Sequence, residues 1–211
     1  MNPADSGTKK PRKNVKRIAR TAFYLFLAVG VFGLAYACYV FVDAHAFQAV
    51  EQSRFENVAK LSPRGKPRHV LQGGIIGEMD IPRLGMKAIF VEGDSARILR
   101  RAVGHISETA WPGGLGNVVL TGHRDTFFRP LRNIQQGDVI TLETSDGNFQ
   151  YRVEATAVVP PNDIQVLQPS SEPTLTLVTC FPFYFVGAAP NRFIVRARQV
   201  APSTDKVQLS E

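Results

Sequence analysis

From Ala22 to Val42 the chain reads AFYLFLAVGVFGLAYACYVFV, a run of 21 residues without a charge or a proline. As an α-helix this run is about 30 Å long, the thickness of a bilayer's hydrocarbon core. It divides the protein into a short leader and a long remainder, and predicts one membrane span followed by a folded domain. Tyr24 near one end, and Tyr36 and Tyr39 towards the other, suit interfacial positions. Lys9, Lys10, Arg12, Lys13, Lys16, Arg17 and Arg20 precede the run against Asp5 alone. Such a cluster stays on the cytoplasmic side, so the expectation is a single-pass protein of the cell membrane, N-terminus cytoplasmic and domain extracytoplasmic. A cleavable signal peptide has an apolar region of about 7 to 15 residues. Ala44-His45-Ala46 would serve as a cleavage site, but the length of the run favours an uncleaved anchor.

The leader also explains the formal charge of +7: beyond residue 20, 18 basic residues face 17 acidic ones. A nucleic-acid-binding surface is not supported, because no basic excess is left to meet a polyanion. With Cys38 inside the apolar run, Cys180 is left as a free thiol in an oxidising compartment, where cysteines are commonly paired. A buried structural role and a chemical one are both open on composition.

The domain boundaries follow from composition. Residues 1–21 read as a basic leader, 22–42 as the anchor, 43–72 as a linker, 73–200 as one domain and 201–211 as a polar tail. Within the linker AFQAVEQSRFENVAKL suits a short amphipathic helix continuing from the span, and SPRGKPRHVLQGG carries the prolines and glycines of a connector. The domain reads mainly as β. IIGEMDIP and MKAIFVEG form a first strand pair; SARILRRAV places Ile98, Leu99 and Val103 at helical spacing after a Ser95 cap. GNVVLTG is an apolar strand leading into His123, and a turn-rich helix is expected around Phe127 to Ile134. DVITLET and NFQYRVEATAVV flank the hairpin signal SDG. PPNDIQVLQPSSEP is a long loop, and TLTLVTC and RFIVRARQV are the last strands. About eight strands with few helices favour a closed barrel over a sandwich, since closure removes exposed edges.

Three reactive side chains sit at predicted strand ends: His123 after NVVLTG, Cys180 closing TLTLVTC, and Arg192 opening RFIVRARQ. A rigid sheet fixes such groups while loops admit substrate. TLTLVTC followed twelve positions later by an arginine in NRFIVRA, with LTGHRDTFFRPLRNIQQGD upstream, resembles the sortases, membrane-anchored cysteine transpeptidases of bacterial envelopes. The resemblance covers roughly residues 73–200 and is most like class D. It implies an eight-stranded sortase-like β-barrel with short helices. Cys180 then matches the nucleophile that forms an acyl-thioester, His123 the general acid/base, and Arg192 the arginine that stabilises the oxyanion and substrate. Thr179, beside the nucleophile, either binds substrate or simply favours the strand. The implied substrates carry a C-terminal sorting signal like Leu-Pro-x-Thr-Gly, and the implied acceptor is an amine of a cell-wall precursor or pilin.

The residue types fit that chemistry on their own. A thiolate attacking a peptide carbonyl divides one hard amide exchange into two easier steps. An imidazolium can protonate the leaving amine, and the neutral imidazole can then deprotonate the incoming one. A permanently charged, forked guanidinium suits a tetrahedral oxyanion better than lysine does. Two other functions fit the same residues: an envelope cysteine protease with water as acceptor, and a peptide-binding barrel without turnover. His105 reads as a loop or core histidine before a cleft residue, Asp125 as a turn cap or an imidazole-orienting group. Arg124 and Arg129 are rivals of Arg192, with local salt bridges as their simpler use. Phe181, Phe183, Tyr184 and Phe185 suit either core or a peptide groove. No cofactor is expected, and no metal, because the four histidines and two cysteines have no zinc spacing and no acidic cluster marks a calcium loop.

Overall fold

The computed structural model describes residues 12–61, 70–185 and 187–200. The leader to residue 11, residues 62–69 of the expected linker and the tail 201–211 lie outside the described residues. The chain divides into two compact units, residues 1–43 and 44–211. In the first, helix α1 (Arg12–Leu61, which continues into the second unit) carries the apolar run. It holds a segment long and apolar enough to cross a membrane, with none of the segment's most apolar window buried by protein.

The second unit is a closed eight-stranded barrel. Its strands are β1 (Ile75–Ile81), β2 (Met86–Glu92), β3 (Val103–His105), β4 (Asn117–Thr121), β5 (Val139–Thr144), β6 (Gly147–Val159), β7 (Thr174–Phe181) and β8 (Asn191–Gln199). Around the barrel they run β1-β2-β3-β4-β7-β8-β6-β5, and β5 closes on β1. The β2–β3 and β4–β7 pairs are parallel and the others antiparallel. Closure gives all eight strands partners on both sides, which is the physical reason a strand-rich chain of this size adopts it. Alternate residues fill the interior: Val118 and Leu120 from β4, Ile140 and Leu142 from β5, Leu175 and Leu177 from β7, and Val195 and Ala197 from β8.

Residues 96–103 depart from the helical spacing read in the sequence. Helix α2 is a single turn (Ala96–Leu99), capped by the Ser95 hydroxyl accepting from the Ile98 N–H at 3.4 Å. Val103 lies instead in β3, paired with Phe90 of β2 and fully buried. Four residues past the end of α2, the helical and the buried-strand readings are equally apolar, and pairing with β2 decides between them. Gly104 is required there: a Cβ would stand 2.4 Å from the Gly93 carbonyl oxygen. Helix α1 also contributes to the barrel. The Gln48 side-chain NH₂ donates to the Arg101 carbonyl (2.7 Å) and its carbonyl accepts from the Ile89 N–H (2.8 Å), while Phe47 packs against Ile89, Val91 and Ala102.

His105 is a core histidine. It is 0% exposed, and its Nδ1 lies 2.7 Å from a Glu92 carboxylate oxygen across the β2–β3 pair. Its Nε2 is 3.0 Å from the Ala110 carbonyl and 3.1 Å from the Thr109 hydroxyl. Thr109 spends its one proton on the Ile106 carbonyl (2.7 Å) and accepts from the Val119 N–H (3.2 Å), so Nε2 itself is the donor to Ala110. The pair therefore pins the start of the loop between β3 and β4, with the Trp111 ring 5.2 Å from the imidazole.

A second polar clamp ties the 3₁₀ turn Pro82–Leu84 to the entry of β5. Asp138 accepts from Arg83 Nε, from Arg83 Nη2 (2.6 Å) and from the Gln135 N–H (2.8 Å). The Arg83 guanidinium holds this carboxyl below its usual range. A depressed folded-state pKa adds stability that is fully present above the unfolded value and disappears as pH falls through the folded one. Asp138→Asn should therefore lower the unfolding free energy by about 1 kcal/mol at neutral pH, a small figure because Arg83 is 43% exposed and screened. In chemical unfolding followed by fluorescence, the two proteins should converge as the pH is lowered through the acid range; a gap that widens there contradicts the assignment.

Candidate active site

Parallel pairing of β4 with β7 sends the C-terminal ends of both strands to the same rim, and β8, antiparallel to β7, begins there. His123, Cys180 and Arg192 occupy those three ends. Cys180 and Arg192 are direct cross-strand partners, which places their Cα atoms about 5 Å apart with side chains on one face. The β4–β7 register runs from Asn117 opposite Thr174 to Thr121 opposite Val178. The Gly122 N–H continues the ladder by donating to the Val178 carbonyl (3.2 Å). The same offset, carried two positions past the end of the ladder, aligns position 123 with position 180.

Cys180 and Arg192 belong to the outward faces of their strands, and His123 follows the end of β4. The interior residues are even-numbered on β4 and odd-numbered on β7 and β8, and strand side chains alternate. His123 is exposed, and Cys180 and Arg192 are half-buried. Cys180 is a free thiol, as is Cys38. Among the described residues, Arg192 uses only its Nη1, donating to the carbonyls of Ala189 (3.4 Å) and Asn191 (3.1 Å). Among the described residues its Nε and Nη2 have no hydrogen-bond partner.

The supports behind these groups are buried. Thr179 is 2% exposed, and its hydroxyl donates to the Gly122 carbonyl at 2.7 Å. This bond joins the residue before Cys180 to the residue before His123. Gly122 carries no side chain because a Cβ would meet the Phe128 ring at 3.1 Å, and Phe128 is fully buried in the barrel core. After His123 the chain turns sharply, with the His123 carbonyl accepting from the Phe128 N–H (3.1 Å), and enters a 3₁₀ turn (Arg129–Asn133). The turn-rich helix read around Phe127 to Ile134 is this element.

Of the other residues raised by the sequence, Asp125 is 64% exposed on its side chain and meets Arg124 Nε at 3.4 Å. Phe183 packs on the barrel core and, with Phe181 and Phe193, forms a ring cluster with centroids 5.2 to 6.2 Å apart. Tyr184 and Phe185 are exposed. Arg124 has a use that the sequence reading missed. It is 6% exposed and donates to the carbonyls of Pro182 (2.9 Å), Phe185 and Gly187 (3.2 Å) rather than sitting in a salt bridge alone. A signal was present: the loop 182–190 has no carboxylate, so an arginine facing it pairs with backbone oxygens.

A groove of about 750 Å³ runs over the outward faces of β6 and β8, roofed by the loop between β6 and β7. Thr156, Gln168, Ile194 and Arg196 are among its walls. It reaches Ile194, the outward residue two positions from Arg192. Among the described residues no group of three or more His, Cys, Asp or Glu is gathered as metal ligands would be.

Comparison with known proteins agrees with this arrangement. A family model described as the sortase domain matches residues 79–200. Sortase D of Bacillus subtilis is 36% identical over 61% of this chain and 65% of its own length, so the match spans just under two thirds of that relative. Among solved structures, a Clostridium perfringens Sortase D5 transpeptidase superposes with a TM-score of 0.62 at 28% identity, covering 76% of this chain and 99% of that one. A C. perfringens sortase C, solved with the C-terminal cell wall sorting motif, gives 0.58 at 26% identity over 71% and 85%. The sortase model takes in more than half of the 211 residues, including all three strand ends of this rim, and the chain belongs to the sortase family.

Proposed function

We propose that the protein is a membrane-anchored cysteine transpeptidase that cleaves a C-terminal sorting signal of the Leu-Pro-x-Thr-Gly kind and transfers the new acyl end to an amine. The observation that carries this reading is the direct pairing of Cys180 with Arg192 on the outward face of a rim that also bears His123. In the first half, Cys180 Sγ attacks the scissile carbonyl carbon. The C–N bond breaks, the leaving amine takes a proton from the His123 imidazolium, and a thioester remains on Cys180. In the second half, an amine gives a proton to the now neutral His123 as its nitrogen attacks the thioester, and the new amide leaves Sγ free. Arg192 holds the tetrahedral oxygen in both halves through the guanidinium nitrogens not spent on Ala189 and Asn191. Thr179 serves from behind, binding the two strands together instead of touching substrate.

The groove beneath the 160–173 loop would take the extended signal peptide, since it ends one outward residue from Arg192. The acceptor is an amine of a cell-wall precursor or a pilin. Residues 22–42 anchor the protein once across the cell membrane with the basic leader inside, 43–72 lead out from the membrane, and 73–200 form the extracytoplasmic catalytic domain. The long, uncovered apolar helix supports this placement.

Incubating the full chain with a fluorescent sorting-signal peptide, with and without a glycine peptide as amine, tests the reading. Mass spectrometry should find a Cys180 thioester and a ligated product that grows with amine at the expense of hydrolysis. Cleavage indifferent to amine would make it a protease. No adduct with a thiol-reactive peptide analogue would make it a binding barrel.

A further inference from the structure

The residue after His123 is joined to the loop after Cys180. Arg124 is almost fully buried, and three of the carbonyls it binds belong to the nine-residue segment 182–190, the whole connection between β7 and β8. Its Nε is directed to Asp125 (3.4 Å), and the face of its guanidinium lies 5.9 Å from the Phe185 ring centre. Four of its five N–H groups are thereby used, which removes it as an oxyanion donor. The far end of the same loop supplies the Ala189 carbonyl, which receives Arg192 Nη1 at 3.4 Å together with that of Asn191, the first residue of β8. A continuous path results, from the backbone of His123 through Arg124 to the loop, and from the loop to the guanidinium of Arg192.

We propose that Arg124 is a positioning residue for the acyl-transfer site: it holds the 182–190 loop against the His123 turn, so that Cys180, Arg192 and His123 share one rigid frame. The physical reason is geometric. A loop of nine residues with no charged side chain has several carbonyls and few internal donors to fix it. One planar fork reaches three of them at once, whereas the point charge of a lysine has no such span. Arg124 touches no substrate in this account; it acts through the placement of the groups that do. The inference rests on the transpeptidase reading.

The test uses the full chain in a Cys38→Ala background, so that Cys180 is the sole thiol. Arg124→Ala should lower kcat for peptide transfer about a hundredfold, the effect of a displacement near 1 Å at a reacting centre, with KM within about threefold. Arg124→Lys should fall between the two. In an Arg192→Lys background the further loss from Arg124→Ala should shrink to a few-fold, because the two act through one unit. A merely structural arginine would cost the same factor in both backgrounds. Independently of transfer, the pH profile of Cys180 alkylation by iodoacetamide should change in Arg124→Ala. If the parent protein ligates no peptide, the transpeptidase reading fails while the alkylation profile still decides the role of Arg124. Equal factors in both backgrounds, an unchanged alkylation profile, or loss of the cooperative unfolding transition in both Arg124 variants would overturn the proposal.

Discussion

Cys180→Ala should lower peptide transfer by at least about 10⁴-fold, with the barrel's unfolding transition unchanged. Removal of a covalent nucleophile takes away the two-step route altogether, and comparable knockouts cost about 10⁴ to 10⁶ in kcat. His123→Ala should cost about 10² to 10⁴, since both halves of the exchange need its proton. Arg192→Lys should cost about 10² to 10³, the value of a fixed oxyanion donor. These three variants remove outward-facing groups at the rim, so none opens a cavity in the core. Steady-state assays with the peptide and amine would measure all three, alongside thermal melts. Retention of more than 1% of transfer by Cys180→Ala would end the covalent account.

The second large effect is on stability. His105→Ala, or Glu92→Ala, should lower the unfolding free energy by about 3 to 5 kcal/mol, the cost of leaving one member of a buried polar pair alone. The side chains are 0% and 8% exposed, so solvent offers little replacement. That loss is a large fraction of a domain's usual 5 to 15 kcal/mol. Replacing both together by apolar residues, His105→Leu with Glu92→Met, should recover much of it, because no orphaned polar group is then buried. Urea titrations of the four proteins would measure the cycle. A loss below about 1 kcal/mol in both single variants contradicts a buried, mutually dependent pair. Because His105 also holds the Ala110 carbonyl, the single variants should release the loop between β3 and β4 before the barrel as a whole unfolds.

Much of the barrel was legible because most of its strands are short apolar runs bounded by turn residues, with clean alternation of burial along β5. The pair β1 and β2, the β5–β6 hairpin across Ser145 and Asp146, and strands β4 and β7 all stand where apolar runs and turn signals place them. Strand β3 was not legible. Three residues are too few to establish a period, and Val103 follows α2 at a spacing that suits a helix equally well. Its ladder with Phe90 and Val91, contributed by β2, settles its state. The same limit applies to Thr179. Its local sequence makes it a strand residue beside a reactive cysteine, but only the parallel partner strand brings the Gly122 carbonyl to its hydroxyl. Arg124 and Arg192 are alike in type, yet the tertiary placement of one loop gives the first three carbonyl partners and, among the described residues, leaves two nitrogens of the second without one.

Residue order alone set the apolar helix and seven of the eight strands, since each depends on composition and periodicity within a few consecutive residues, and the resemblance to the sortases singled out the three candidate side chains at their ends. Which faces those side chains share, that Cys180 stands opposite Arg192 and that a buried arginine ties their loop to His123, follow from strand pairing. Strand pairing acts through backbone hydrogen bonds that carry no side-chain signature, and between β4 and β7 it joins segments more than fifty residues apart, so only the closed barrel could decide them.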